Sequence, residues 1–185
     1  IGLTPESVKV LVERNHEVLV ENNGGLEAGF TNEDYLQAGA KLISTPEEIF
    51  KTAELIVKVK EPQLNEVNMI REGQIIYTYL HLAAAKELTL GLINSKSICI
   101  AYETVTDDNG RLPLLAPMSA VAGRMSIQAG AHCLEKNQKG RGLLIGGAPG
   151  VDSANVVILG GGVVGENAAI IATGMRGRVL SLIHI

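Results

Sequence analysis

Val156-Val157-Ile158-Leu159-Gly160-Gly161-Gly162-Val163-Val164-Gly165 is the stretch whose reading decides the fold. The apolar run Val156–Leu159 predicts a buried strand, and the segment from Val163 to Met175 predicts a helix. Between them lies a G-x-G-x-x-G loop, a weak signal alone but in the context a dinucleotide-binding turn needs. Gly160 permits the tight turn, Gly162 lets the backbone approach a pyrophosphate, and Gly165 lets the helix pack closely on the strand. The helix start, at Val163 and Val164, presents unsatisfied N–H groups and a partial positive charge to phosphates. The pattern also predicts an acid about 20 residues further on, bonded to the ribose hydroxyls. After the strand expected over Arg178–Leu182 the sequence runs Ile183-His184-Ile185, with no acid.

The same alternation extends towards the N-terminus. Thr4-Pro5-Glu6 opens a helix, with Thr as N-cap, Pro at the first helical position and an acid in the first turn. Strands are expected over residues 16–21, 41–43, 55–60, 74–79 and 97–101. Helices are expected after Thr31 and Thr45 and over residues 63–72 and 83–94. Alternating strands and helices predict an α/β fold: a Rossmann-like parallel-sheet domain followed by the start of a Rossmann NAD-binding domain. Residues 118–138 carry few breakers and predict one long helix. The expected division is a substrate domain over 1–117, an inter-domain helix over 118–139 and an incomplete cofactor domain over 140–185. Two strands and one helix cannot complete a Rossmann sheet, so Val156–Leu159 is expected to lack covering neighbours.

Composition excludes several classes. The chain has 185 residues, 46% of them apolar, and a net charge of −4, which suits a globular protein. An acidic balance without Trp argues against nucleic acid as a partner. No apolar run reaches membrane-spanning length, and no secretory signal precedes the first helix. Cys99 and Cys133 form no disulfide framework, which fits a reducing cytoplasm. No grouping of His, Cys, Asp and Glu has metal-ligand spacing, so no metal is expected.

Lys60 ends the strand expected over 55–60, and His81 follows the strand expected over 74–79. Ligands of open parallel sheets bind beyond the carboxyl ends of the strands. A lysine and a histidine converging there could polarise a carbonyl and shuttle a proton. By composition alone, though, a strand-end lysine is an ordinary solvated cation and a lone histidine an ordinary structural residue. Glu103 reads as a surface or capping acid, and Arg124 and Glu135 as residues of a solvated helix face.

Several strings together resemble the alanine dehydrogenase family. They are Gly2-Leu3-Thr4-Pro5, Val57-Lys58-Val59-Lys60-Glu61-Pro62, Tyr79-Leu80-His81-Leu82-Ala83-Ala84, Ala101-Tyr102-Glu103-Thr104-Val105 and Leu114-Leu115-Ala116-Pro117-Met118-Ser119. Gly146–Val151 and Val157–Asn167 continue the pattern, and the likeness runs to about residue 179. The resemblance implies an NAD-dependent oxidoreductase that converts L-alanine reversibly to pyruvate and ammonia. It implies that Lys60 binds the substrate oxygens and that His81 bonds the substrate and assists proton transfer, which reverses the bland readings of both. It implies that Ser119 and the loop of Gly160, Gly162, Val163, Val164 and Gly165 hold NAD. It further implies a cytoplasmic homo-oligomer, a hexamer in the family.

Three departures accompany the likeness. The family's carboxylate-binding arginine, which precedes the string beginning at Ile1, is not in the sequence. Its ribose-binding aspartate would fall near Ile183, and its active-site aspartate in the remainder of the cofactor domain. Residues 180–185 fit the family poorly. The expectation is therefore a chain cut short at both ends and inactive alone. The alternatives are the NAD-binding subunit of a proton-translocating transhydrogenase or a non-catalytic nucleotide-binding module.

Overall fold

A computed structural model describes residues 1–182 of the chain. The chain divides into two compact units, Ile1–Val105 and Thr106–Ile185.

The first unit alternates short helices with parallel strands. Helix α1 (Pro5–Glu13) starts where Thr4, extended, accepts a hydrogen bond on its side chain from the Ser7 N–H at 3.3 Å. Strand β1 (Leu19–Glu21) is shorter than the expected 16–21, and it pairs in parallel with β2 (Lys41–Ile43). Between them α2 (Asn32–Gln37) carries a full capping box from Thr31 and Asp34. Thr45 caps α3 (Pro46–Thr52) in the same way that Thr4 caps α1.

A second sheet holds β3 (Leu55–Val57), β4 (Ile75–Thr78) and β5 (Ile98–Ala101), all parallel, in the order β3-β4-β5. Ile56, Ile76 and Leu88 lie in its buried core with Phe50, Ile70, Leu80 and Leu92. Each such side chain contributes about 1.5–3 kcal/mol by leaving water. Cys99 packs at the edge of this core and is half-buried.

Two expected helices of this unit are also shorter than their patterns. The helix expected over 63–72 is only α4 (Leu64–Val67), because a turn through Gly73 (φ 77°) brings the chain into β4. The helix expected over 83–94 is a 3-10 turn, Leu82–Ala84, followed by α5 (Lys86–Ser95).

The second unit is built on α6 (Ala116–Cys133), β6 (Asn155–Leu159), α7 (Val163–Gly174) and β7 (Arg178–Leu182). The long helix ends at Cys133, and residues 136–138 form a separate 3-10 turn. Helices α6 and α7 pack closely because Gly123 faces α7: a Cβ there would meet the Val164 carbonyl oxygen. Arg124 does not stand free on a solvated face, since its Nε donates to Asn167 Oδ1 at 3.0 Å and so ties α6 to α7.

β6 and β7 pair in parallel. Ile158 is buried with Ile127, Ile145, Ala168 and Ala172, and Val156 packs against that cluster. The expectation that Val156–Leu159 lacks cover therefore holds for one face only. Alternation turns Val157 and Leu159 to the other side, where they stay 57% and 70% exposed. Among the described residues no helix is long and apolar enough to cross a membrane.

Candidate functional site

In the first unit the chemistry gathers at the carboxyl ends of β3, β4 and β5. The chain leaves β3 at Val57, so Lys60 lies beyond the strand and not at its end as expected. The peeled segment is held by Thr78, the fully buried last residue of β4, whose single hydroxyl hydrogen is shared between the carbonyls of Val59 and Lys60, each 2.9 Å from its oxygen. The next turn is fixed by a half-buried ion pair, Lys58 Nζ to Glu66 at 2.6 Å. Glu66 also accepts from the Gln63 N–H, which starts α4.

His81 follows β4, the neighbour of β3, as expected for two side chains converging on one sheet edge. It adopts left-handed backbone (φ 50°, ψ 36°), a conformation that disfavours a residue with a Cβ by about 1–2 kcal/mol. Glu103, beyond β5, holds it there. Its carboxylate accepts from the Leu80 N–H at 3.0 Å and the His81 N–H at 2.8 Å. Glu103 is thus a capping acid whose cap is the backbone of the candidate active-site histidine. The sequence carried one signal for this: Glu103 follows the strand after the one that places His81.

Glu61 completes the group. Its Oε1 lies 3.2 Å from Lys60 Nζ and its Oε2 lies 3.1 Å from His81 Nδ1. The ring of Tyr79 stacks near His81 at 6.0 Å between centroids, and Tyr79 packs edge-on against Tyr102. Burial, reinforced by Tyr77 and Tyr79, pushes Tyr102 up to about 12, so it stays protonated at neutral pH.

Both glutamates are held as carboxylates. The Glu61 carboxyl lies below its ordinary value mainly through its own backbone N–H; burial opposes this, and Lys60 and His81 add to it. For Glu103 burial is the largest influence and works against ionisation. The N–H groups of His81, Glu103 and Leu80 together outweigh it, and its carboxyl also lies below the ordinary value. A depressed carboxylate stabilises the fold above its unfolded value, about 4.3, and that contribution is lost as pH falls through the lower folded value. Chemical denaturation from about pH 6 downwards should therefore show a shallower acid loss of stability in Glu103→Gln than in the wild type. Identical acid limbs would remove the clamp from the account.

In the second unit the glycine loop joins β6 to α7. Gly160 is left-handed at φ 103°, which glycine adopts without strain. A Cβ on Gly165 would meet the Gly160 carbonyl oxygen, so only glycine lets α7 start this close to the strand. Gly162 is the N-cap, with no side chain capping the helix. The N–H groups of Val163, Val164 and Gly165 belong to the first turn, which has no intrahelical acceptor. A Cβ on Gly162 would meet nothing within 4 Å. Open space above uncapped N–H groups at the start of a 12-residue helix fits a pyrophosphate. Ser119 and the loop line one cleft of about 1030 Å³, which also reaches Ile127 and Ala168. The ribose acid expected near Ile183 falls outside the described residues.

A strand, a glycine turn and a helix N-terminus, following a series of parallel βα units, define a Rossmann-like nucleotide-binding α/β protein. The alanine dehydrogenase/PNT N-terminal domain matches residues 1–122 and the alanine dehydrogenase/PNT C-terminal domain matches residues 126–182, so the chain belongs to the alanine dehydrogenase/PNT family. It is 53% identical to the alanine dehydrogenase of Halomonas elongata over 182 residues, which is 98% of this chain and 49% of that relative. It is 51% identical to the alanine dehydrogenase of Methanococcus maripaludis, again over 98% of this chain and 49% of the relative. A solved L-alanine dehydrogenase superposes with a TM-score of 0.89 at 50% identity, covering 97% of this chain and 50% of that one. A transhydrogenase from Sinorhizobium meliloti shares the fold at a TM-score of 0.77 and 23% identity, over 96% of this chain and 51% of its own. The chain spans about half the length of the curated relatives it matches.

Proposed function

We propose that the chain belongs to an NAD-dependent alanine dehydrogenase, which converts L-alanine reversibly to pyruvate and ammonia. One observation carries the reading: Lys60 and His81 meet on Glu61 beyond adjacent parallel strands, in a chain about half identical to alanine dehydrogenases. On this reading residues 1–117 form the substrate domain, 118–139 the linking helix, and 140 onwards the opening of the cofactor domain. The family likeness supports a cytoplasmic homo-hexamer.

The residues divide the work. The Lys60 ammonium binds the substrate's oxygens and draws charge from the carbonyl carbon as pyruvate forms or reacts. His81, exposed at the strand ends, accepts a proton from the substrate side in deamination and returns it in the reverse direction. Val163, Val164 and Gly165 direct their N–H groups at the cofactor's pyrophosphate, Gly160 and Gly162 keep the loop clear, and Ser119 adds a hydroxyl donor. NAD held there would supply the hydride acceptor for the alanine α-carbon.

The test is L-alanine-dependent formation of NADH by the intact protein. It is expected to occur and to reverse with pyruvate plus ammonium. NADH binding without turnover in either direction would overturn the reading in favour of a non-catalytic nucleotide-binding module.

A further inference from the structure

Lys60 and His81 each touch Glu61, and each has its own oxygen. Lys60 Nζ is 3.2 Å from Oε1 and His81 Nδ1 is 3.1 Å from Oε2. The acid is also the least exposed of the three, with its side chain 21% exposed against 71% for Lys60 and 55% for His81. Its backbone is restrained on both sides. Pro62 limits the conformations of the residue before it. Upstream, the Thr78 hydroxyl grips the Lys60 carbonyl, and downstream the Gln63 side chain donates to the Glu61 carbonyl at 3.2 Å. The carboxylate is a fixed post, and the two long partners reach to it.

We propose that Glu61 is the positioning residue of the Lys60–His81 pair, holding His81 as the tautomer with hydrogen on Nδ1 so that Nε2 faces the substrate as the acceptor. The chemistry of the partners dictates the tautomer. An ionised carboxylate can only accept, so the nitrogen beside it must carry the hydrogen. The lone pair of the neutral ring is then on Nε2, the nitrogen turned away from Glu61. Orientation of a histidine by a carboxylate on its far nitrogen is a general device for proton-transferring imidazoles. Dividing the oxygens adds a second consequence. An incoming substrate carboxylate or carbonyl can draw the Lys60 ammonium off Oε1 while Oε2 keeps its hold on His81. Substrate capture by the lysine then leaves the histidine in register.

The inference rests on the reading of Lys60 and His81 as substrate-binding groups, but its decisive test does not use activity. The full chain is labelled with nitrogen-15 histidine, and its ring nitrogens are followed by NMR at about pH 9, well above the ordinary histidine value. The His81 signals are identified by their loss in His81→Asn. The wild type is expected to show hydrogen on Nδ1 and a bare Nε2. Glu61→Ala is expected to lose that preference, with the remaining amide spectrum unchanged. Glu61→Gln, which keeps an acceptor oxygen and the side-chain shape, separates a folding defect from loss of the acceptor and should retain the tautomer at least in part. Hydrogen on Nε2 in the wild type, or the same ring pattern in Glu61→Ala, overturns the proposal. In the intact protein, Glu61→Ala should lower kcat at least about tenfold while leaving NADH affinity unchanged, because the acid lies in the substrate domain and not at the glycine loop. Unchanged kcat overturns the positioning role. Full activity in His81→Asn would instead overturn the functional reading, and the ring pattern would show whether Glu61 still sets the tautomer.

Discussion

His81→Asn in the intact protein should lower kcat/KM for L-alanine by about 10²–10⁴-fold, the usual contribution of a positioned general acid–base. Asparagine is the better replacement than alanine because His81 is left-handed, a region asparagine tolerates. The ring is 55% exposed, so its loss opens no cavity. Denaturation midpoints close to wild type would show that the lost rate is chemical. Lys60→Ala should be as damaging, and it is structurally the simpler change, since the side chain is 71% exposed and pairs with Glu61 at the surface. The two should differ in kind. On the proposed roles, Lys60 binds the substrate in both ground and transition states, so its loss should raise KM as well as lower kcat. On the same proposal His81 acts when the proton moves, so its loss should fall mainly on kcat. Wild-type rates in either variant, measured by NADH formation from L-alanine, would remove that residue from the mechanism.

The sequence disclosed the frame of this site better than its detail. Strand and helix alternation follows from hydrophobic period and caps, which are local, and Thr4, Thr31 and Thr45 begin their helices where their side chains suggest. Lys60 and His81 could be brought to one edge because parallel strands place their carboxyl ends together. What the two glutamates bind could not be read in this way. Glu103 reaches back 22 residues to cap the His81 N–H, and nothing in the Tyr102-Glu103-Thr104 string specifies that target. Glu61 was visible only as part of a family string, because a carboxylate's partners depend on how the chain bends after Val57. That bend in turn depends on Thr78, an inconspicuous residue in a strand.

The exposed side of β6 and β7 illustrates a different limit. A fully apolar strand reads as covered on both faces. Here the helices cover one, and Val157 and Leu180, paired across the strands, are both exposed. Apolar composition specified the strand but not what lies on each side of it.

Gly165→Val and Gly162→Ala should separate the two things a glycine loop does. At Gly165 a Cβ would fall on the Gly160 carbonyl oxygen and press on Ile158 Cγ2 at 3.3 Å. Neither can move cheaply: one is backbone at the turn, the other a buried residue of β6. The expected cost is about 1–3 kcal/mol of stability in the second unit, as for other overpacked sites. NADH affinity should fall with it, by about tenfold or more, since the helix start is displaced. At Gly162 a Cβ meets only open space, and the backbone at φ −75° is one any residue adopts. Gly162→Ala should therefore leave the unfolding midpoint unchanged. Yet that space is where a pyrophosphate would approach the N–H groups of Val163 and Val164, and a methyl group there holds it off. NADH titration should show weaker binding at undiminished stability. If Gly162→Ala binds NADH as the wild type does, the pyrophosphate does not lie over Gly162. The tight glycine at 165 would then be a requirement of helix–strand packing alone.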